Sequence, residues 1–456
     1  MSQRANLDER DLGACSLVIE AGWVIPVEPH ATVWTDYAVA LAGERILAIG
    51  PRAELAQRFP EAPRVQRPEA ILLPGLINAH THNPMTLMRG VADDLPLHTW
   101  LNEHIWPIEA AVIGPEFVAD GTALAVAEML RGGTTCCNEN YFFPDVIAAT
   151  YAKFGFRATV GLPIIEFPTA WAKDRAEYFD KALEVHDNFR GDALIRTCFA
   201  PHAPYTVADA SFERIRMLAD QLDLPVHCHV HETEQEIIDS QREHGMRPLA
   251  RLDRLGLVNR QLIAVHMTQL TEAEIALCAE RGVSVGHCPE SNLKLASGFC
   301  PTEALHRAGV NLALGTDGCA SNNDLDMIGE MRTAALLGKA VARNAAAVSA
   351  PNALRMATMG AAIALGREHE IGSIEIGKQA DLICIRQDVI EAYPCFEAIS
   401  QVVYSTGRHQ VQDVWIAGQR KLDDGRLIDL DVKGLKAKAG EWQARIQALP
   451  RRGGQA

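Results

Sequence analysis

His80 and His82 stand two residues apart at the end of Pro74-Gly75-Leu76-Ile77-Asn78-Ala79-His80-Thr81-His82. Alternate side chains of an extended segment share a face, so both imidazoles leave the backbone on one side and make half of a metal site. The apolar run Ala70-Ile71-Leu72-Leu73 just before them reads as the buried strand that aims them. Further donors recur where other strand-like runs end: His229 after Pro225-Val226-His227-Cys228, His266 after Leu262-Ile263-Ala264-Val265, and Asp317 after Leu312-Ala313-Leu314-Gly315-Thr316. A single histidine at a strand end is most often an ordinary hydrogen-bonded residue, but this many donors at strand ends form a constellation. Imidazole nitrogens and a carboxylate oxygen suit Zn²⁺ or Fe²⁺, and a set that leaves a position open for water is the catalytic kind. In His227-Cys228-His229-Val230-His231-Glu232 the three histidines share a face, so spacing alone does not choose the ligand. Glu232 adds a carboxyl group three residues beyond His229, placed for general acid or base work.

The elements that must hold these residues follow from hydrophobic patterning. Short apolar runs at 158–162, 194–199, 225–229, 262–266, 283–287 and 310–317 alternate with amphipathic helical stretches. Strand-helix alternation of this length predicts an α/β fold, a (β/α)8 TIM-type barrel whose strand ends line the catalytic mouth. Both chain ends carry a different style, with short strands at 16–20, 22–26, 37–41 and 45–49, and again at 380–385, 402–404 and 411–418. They are expected to join in one small β-sandwich. The division is therefore 15–70 with 375–430 as a composite β-sandwich, 71–374 as the metal-dependent barrel, and 431–456 as a C-terminal helix and tail. Trp442, Ile446 and Leu449 give that helix its apolar spacing before Arg451-Arg452-Gly453-Gly454.

Composition narrows the function. A chain of 456 residues, 48% hydrophobic, can bury a large core. Its formal net charge of −15 repels phosphate backbones and anionic membranes, so neither nucleic acid nor membrane is an expected partner. No apolar run approaches the ~20 residues of a membrane span, and the start, MSQRANLDERDLGACS, is polar and acidic. A soluble cytoplasmic homo-oligomer acting on a small molecule is expected. The eleven cysteines include no Cys-x-x-Cys pair, and Cys198, Cys228 and Cys384 lie inside apolar runs, as buried reduced thiols do.

The combination His80-x-His82, His229-x-x-Glu232, His266 and Gly315-Thr316-Asp317-Gly318 resembles the amidohydrolase superfamily, in its mononuclear-metal branch of hydrolytic deaminases. Ala200-Pro201-His202-Ala203-Pro204-Tyr205, Cys288-Pro289-Glu290-Ser291-Asn292-Leu293-Lys294-Leu295 and Thr316-Asp317-Gly318-Cys319-Ala320-Ser321-Asn322-Asn323 resemble the 5-methylthioadenosine/S-adenosylhomocysteine deaminase family. The resemblance runs from about Leu17 to Asp429. It implies one divalent metal, zinc with iron as the alternative, held by His80, His82, His229 and Asp317. It also implies that Glu232 and His266 flank the attacking water, and that Glu109 and His202 contact an adenosine-type nucleoside. On this reading Asp317 ligates the metal and takes the proton of the water. Glu232 protonates ring nitrogen N1 as C6 turns tetrahedral, and His266 hydrogen-bonds the attacking oxygen. The products are the inosine analogue and ammonia.

With His229 chosen by resemblance, His227 is expected to pack deeper in the barrel, His231 to face solvent, and His287 to be structural. Glu109 falls in what reads as a loop carrying Trp100 and Trp106, where an acid could accept ribose hydroxyls under an aromatic cover. The sequence lacks Pro-Cys-x-x-Cys, a Walker loop and His-Glu-x-x-His. The rivals are a sibling deaminase or chlorohydrolase of another purine, a pterin or an s-triazine, and a non-catalytic scaffold, which retention of every expected ligand disfavours.

Overall fold

The computed structural model describes residues 13–450. The polar residues 1–12 and the tail 451–456, both read above from sequence, lie outside the described residues. The chain begins with strands β1 (Leu17–Val24), β2 (Trp34–Thr35), β3 (Tyr37–Ala42), β4 (Arg45–Pro51) and β5 (Arg64–Pro74). Eight strands separated by helices follow: β6 (Leu76–Thr81), β7 (Thr134–Glu139), β8 (Arg157–Ile164), β9 (Ile195–Pro201), β10 (Val226–Val230), β11 (Leu262–His266), β12 (Ser284–His287) and β13 (Asn311–Leu314). The last strands are β14 (Leu382–Arg386), β15 (Val411–Ile416), β16 (Gln419–Asp423) and β17 (Arg426–Leu427).

Strands β6 to β13 each pair with their sequence neighbours in parallel, which is the expected (β/α)8 barrel. The barrel closes where β13 runs out beside β6. Thr81 and Asp317 form a parallel bridge, the Asp317 N–H donates to the His80 carbonyl at 3.0 Å, and the Asn78 amide exchanges two hydrogen bonds with Thr316. Gly315 permits this approach, because a Cβ there would lie 2.7 Å from the His80 nitrogen and 2.8 Å from its Cβ. The closing seam therefore also brings Asp317 against His80.

Both chain ends share a nine-stranded sheet in which β5 lies between β1, parallel to it, and β14, antiparallel to it. Alternation divides these strands between two cores. Ile71 and Leu73 of β5 and Ile383 and Ile385 of β14 pack into the large core that includes the barrel, whereas Ala70, Leu72, Leu382 and Cys384 fill the sheet's own core. The run Ala70-Ile71-Leu72-Leu73 thus belongs to the outer sheet, and the strand aiming His80 is β6, beginning at Leu76.

Three further strand assignments differ from the sequence reading. Residues 402–404 end a helix, Ala398–Tyr404, whose buried Ala398, Ile399, Val402 and Val403 show helical spacing that a three-residue window conceals. The runs at 16–20 and 22–26 form one strand with a register shift between Ala21 and Trp23. Strand β7 was not anticipated, since Thr-Thr-Cys-Cys-Asn-Glu has no aliphatic residue to mark it. A helix at Val432–Gln447 docks Trp442 edge-on to Phe117, with ring centroids 5.1 Å apart, and Trp442 Nε1 donates to Asp120. Among the described residues no single helix is long and apolar enough to cross a membrane.

Barrel and outer sheet are tied by an ion pair. Arg157, at the start of β8, donates from Nε and Nη2 to the two oxygens of Asp381 at 2.7 and 3.0 Å, and both side chains are buried. Removing one partner leaves a buried charge alone, so Arg157→Leu is expected to lower stability by about 3–5 kcal/mol. Urea unfolding checks this, and the Arg157→Leu/Asp381→Leu double variant should be less destabilised than the single one.

Candidate active site

The expected donors meet at the mouth of the barrel. His80 lies on β6 and is fully buried, with His82 one residue beyond that strand. His229 lies near the end of β10, His266 ends β11, and Asp317 sits three residues past β13. Asp317 Oδ1 is 3.2 Å from both His80 Nε2 and His82 Nε2, and His229 Nε2 is 3.2 Å from His80 Nε2. Donors bound to one ion at about 2.1 Å with angles near 100° stand at roughly this spacing. His266 offers a further donor to the same region, in a set with His80 and Asp317. The backbone at His266 and Asp317 is left-handed, with φ of 74° and 64°. Such strain in side-chain-bearing residues is concentrated at functional positions.

Hydrogen bonds to the far ring nitrogens orient these imidazoles. Nδ1–H of His82 donates to the Asn140 carbonyl and Nδ1–H of His229 to the His202 carbonyl at 2.7 Å. A carbonyl only accepts, so in their neutral forms both rings present an Nε2 lone pair at the meeting point. His266 is held by a side chain instead of the backbone: its Nδ1–H donates to Asn292 Oδ1 at 2.9 Å, an amide oxygen that only accepts. Its Nε2 faces the site, 3.9 Å from the Glu232 carboxyl. Asp317 is anchored by Ser291, whose hydroxyl donates to Oδ2 at 2.6 Å, and by the Gly318 N–H on Oδ1 at 2.8 Å. Burial raises the Asp317 pKa, but hydrogen bonds with His80 and His82 outweigh it and hold the carboxyl well below its usual range. The same burial lowers His80 to about 4. At His82 burial is overcome by Asp317, Glu139 and the Asn140 carbonyl, which raise it to about 9.

A cavity of about 500 Å³ opens above this point. Glu232 lines it with its carboxyl 3.9 Å from His266 Nε2, and burial raises its pKa against the pull of His266. Glu109 and His202 line the same cavity, so all the expected residues come together, with His80 directly beneath the lining. Leu101, Trp106, Ile113 and Phe167 make much of the remaining wall apolar. Glu109 is on a helix, Trp106–Val112, rather than in a loop. Burial lifts its pKa to about 7 although the Tyr141 hydroxyl donates to it at 2.5 Å. Burial lowers His202 to about 4.

The family model of the amidohydrolase family matches residues 71–421, and a bacterial imidazolonepropionase-like composite domain matches residues 38–62. The chain belongs to the amidohydrolase family. Among curated relatives of this amidohydrolase, a 5-methylthioadenosine/S-adenosylhomocysteine deaminase of Teredinibacter turnerae is 48% identical over 94% of this chain and 97% of its own. A 5'-deoxyadenosine deaminase of Methanopyrus kandleri is 41% identical over 79% and 83%. The crystal structure of an adenosine deaminase from Xanthomonas campestris with bound zinc matches with a TM-score of 0.95 at 66% identity, covering 95% of this chain and 99% of that one. An atrazine chlorohydrolase from Arthrobacter aurescens shares the fold at 22% identity and a TM-score of 0.88, covering 94% of this chain and 100% of that one.

The remaining histidines of the amidohydrolase correct one expectation. His231 is fully buried rather than solvent-facing, and its Nε2 accepts from the Leu249 N–H at 3.1 Å. Its φ of 54° takes it out of the alternation that keeps His227 and His229 on one face. His227 lies deeper in the barrel, as expected, and His287 is buried at the end of β12. Sequence reasoning assigned no role to Tyr141, Ser291 or Asn292. Tyr141 follows the unanticipated β7, while Ser291 and Asn292 sit in a quoted motif whose contacts only the fold reveals.

Proposed function

We propose that this amidohydrolase is a metal-dependent hydrolytic deaminase. It converts the 6-amino group of an adenosine-type nucleoside, such as 5'-methylthioadenosine, S-adenosylhomocysteine or adenosine, to the inosine analogue and ammonia. The observation that carries this reading is the convergence of imidazole Nε2 atoms and the Asp317 carboxylate beside the Glu232 carboxyl on the floor of a largely apolar cavity. The names of the relatives and the zinc of the Xanthomonas campestris protein support it. One zinc per chain, held by His80, His82, His229 and Asp317, fits the N/O donor set and its spacing. When bound, it supplies a nucleophile at neutral pH by lowering the pKa of water from ~15.7 to near 7.

The residues divide the remaining work. Asp317 accepts a proton from the attacking water, and Ser291 holds its other oxygen in place. Glu232, kept protonatable by burial, protonates N1 as C6 becomes tetrahedral; the departing amine then takes the proton that Asp317 removed from the water, and the hydroxyl proton left at C6 returns to Glu232 as the carbonyl forms. His266 donates from Nε2 to the attacking oxygen when both its ring nitrogens carry protons, Nδ1–H being held by Asn292 Oδ1, which offsets charge that grows only toward the transition state. Tyr141 occupies one oxygen of Glu109 and leaves the other for a ribose hydroxyl, with His202 also at the cavity wall. Glu109→Gln should therefore raise KM for nucleosides by about 10–100-fold, the worth of a hydrogen bond to a charged group, and leave a free base little affected. Steady-state kinetics on adenosine and adenine check this.

The catalytic barrel is assigned to residues 75–374 and the composite sheet to 15–74 and 375–430, the boundary moving from the expected 71 because β5 runs to Pro74 in the outer sheet, with the closing helix and tail at 431–456. The eleven cysteines are free thiols, in keeping with a reducing cytoplasm, and the charge of −15 speaks against nucleic-acid and membrane partners. A homo-oligomer completes the reading, and sedimentation tests it. The deciding experiment is a comparison of steady-state rates on methylthioadenosine, S-adenosylhomocysteine, adenosine, guanine and a chloro-triazine. Higher kcat/KM on guanine or the triazine than on every adenosine compound would overturn the assignment.

A further inference from the structure

We infer that His227 is a positioning residue for metal ligation by His80, acting as the acceptor that holds the His80 proton on Nδ1. The inference rests on the proposed metal site. His80 Nε2 lies 3.2 Å from both Asp317 Oδ1 and His229 Nε2, so this nitrogen is the one aimed at the meeting point. For Nε2 to offer a lone pair while the ring is neutral, the proton must sit on Nδ1, and that atom's neighbour is His227 Nε2 at 3.0 Å. His227 Nε2 must then accept, which leaves the proton of His227 on its own Nδ1.

A second observation agrees. His227 is fully buried, and its Nδ1 is a buried atom without a hydrogen-bond partner. A side chain present only to fill space would be better apolar, because an imidazole there leaves a polar atom unsatisfied. The imidazole is accounted for if its other nitrogen is needed. His82 and His229 rest on backbone carbonyls, but His80 meets a side chain instead. That side chain lies two residues before His229 on β10, so one strand face supplies a donor and, one layer deeper, the support of a second donor. An imidazole nitrogen is also a stronger base than an amide oxygen, which increases the electron density that His80 offers to a cation.

The test is zinc affinity, measured by competition with a chromophoric chelator on the full chain and independent of turnover. His227→Gln places an amide oxygen near the position of Nε2 and should bind zinc within about threefold of the unmodified protein. His227→Phe fills the space without an acceptor and should bind about 10–100-fold more weakly, the usual cost of losing an outer-shell partner. Equal affinity of His227→Phe and the unmodified protein would overturn the inference, as would a His227→Gln protein as weak as His227→Phe. Neutron diffraction on zinc-loaded crystals of the unmodified protein gives an answer that needs no variant to fold. Deuterium on Nδ1 of both His80 and His227 is expected, and deuterium on Nε2 of His227 would overturn the assignment. If zinc affinity behaves as stated but no adenosine compound is deaminated, the proposed substrate fails and the role of His227 stands.

Discussion

Glu232→Gln should keep its zinc and lose about 10²–10⁴ in kcat, the usual contribution of a positioned general acid or base. Glutamine is nearly isosteric, and Glu232 is not among the proposed ligands, so the donor set should survive. The backbone around it is independently held. The Glu232 N–H donates to Glu236 at 2.7 Å, and the Thr268 hydroxyl donates to the Glu232 carbonyl at 2.7 Å. The amide can still hydrogen-bond N1 of a purine, so KM should change far less than kcat, but it cannot deliver and recover a proton. Turnover of 5'-methylthioadenosine, measured with metal content checked, decides the matter. A variant retaining more than about a tenth of normal kcat would move the proton-transfer step to His266 or Asp317.

Loss of the metal should be more severe. Chelation, or His82→Ala, is expected to reduce turnover below about a thousandth, because unassisted water has a pKa of ~15.7 and is almost wholly unionised at neutral pH. His82 suits the truncation because its side chain is partly exposed at the cavity floor, whereas His80 is sealed beneath and bonded to His227. Elemental analysis should find one zinc per chain in the unmodified protein and less than about a tenth of that in His82→Ala. Two tightly held ions per chain, or undiminished zinc in the variant, would contradict the four-ligand site. Since a cation bound to the folded form alone also stabilises it, the chelated protein should melt at a lower temperature, recovering when zinc is restored.

The barrel and its chemistry were legible in the sequence because both depend on local signals. Short apolar runs between amphipathic helices mark parallel strands, and donors placed after such runs must come to one end of the barrel whatever the details of packing. That logic brought His80, His82, His229, His266 and Asp317 together, the spacing after His229 marked Glu232, and the family resemblance supplied Glu109 and His202. It faltered where side chains carry no pattern, as in β7 with its Thr-Thr-Cys-Cys-Asn-Glu, or where a window was too short, as at residues 402–404.

Tertiary structure decided the matters that depend on contacts between distant segments or on one dihedral angle. Which sheet receives the run at 70–73 depends on pairing with β14, some three hundred residues away, and nothing within the run distinguishes an outer strand from a barrel strand. His231 leaves the row of His227 and His229 through a single left-handed residue, which hydrophobic alternation does not encode. The ring nitrogens that face the metal site are chosen by Asn140, His202, His227 and Asn292, whose places beside the histidines exist only once the barrel has closed. Sequence determined which donor types gather at the mouth, through residue chemistry and strand period. Closure of the seam at Gly315 determined their distances and proton positions, because those are properties of neighbours in space rather than along the chain.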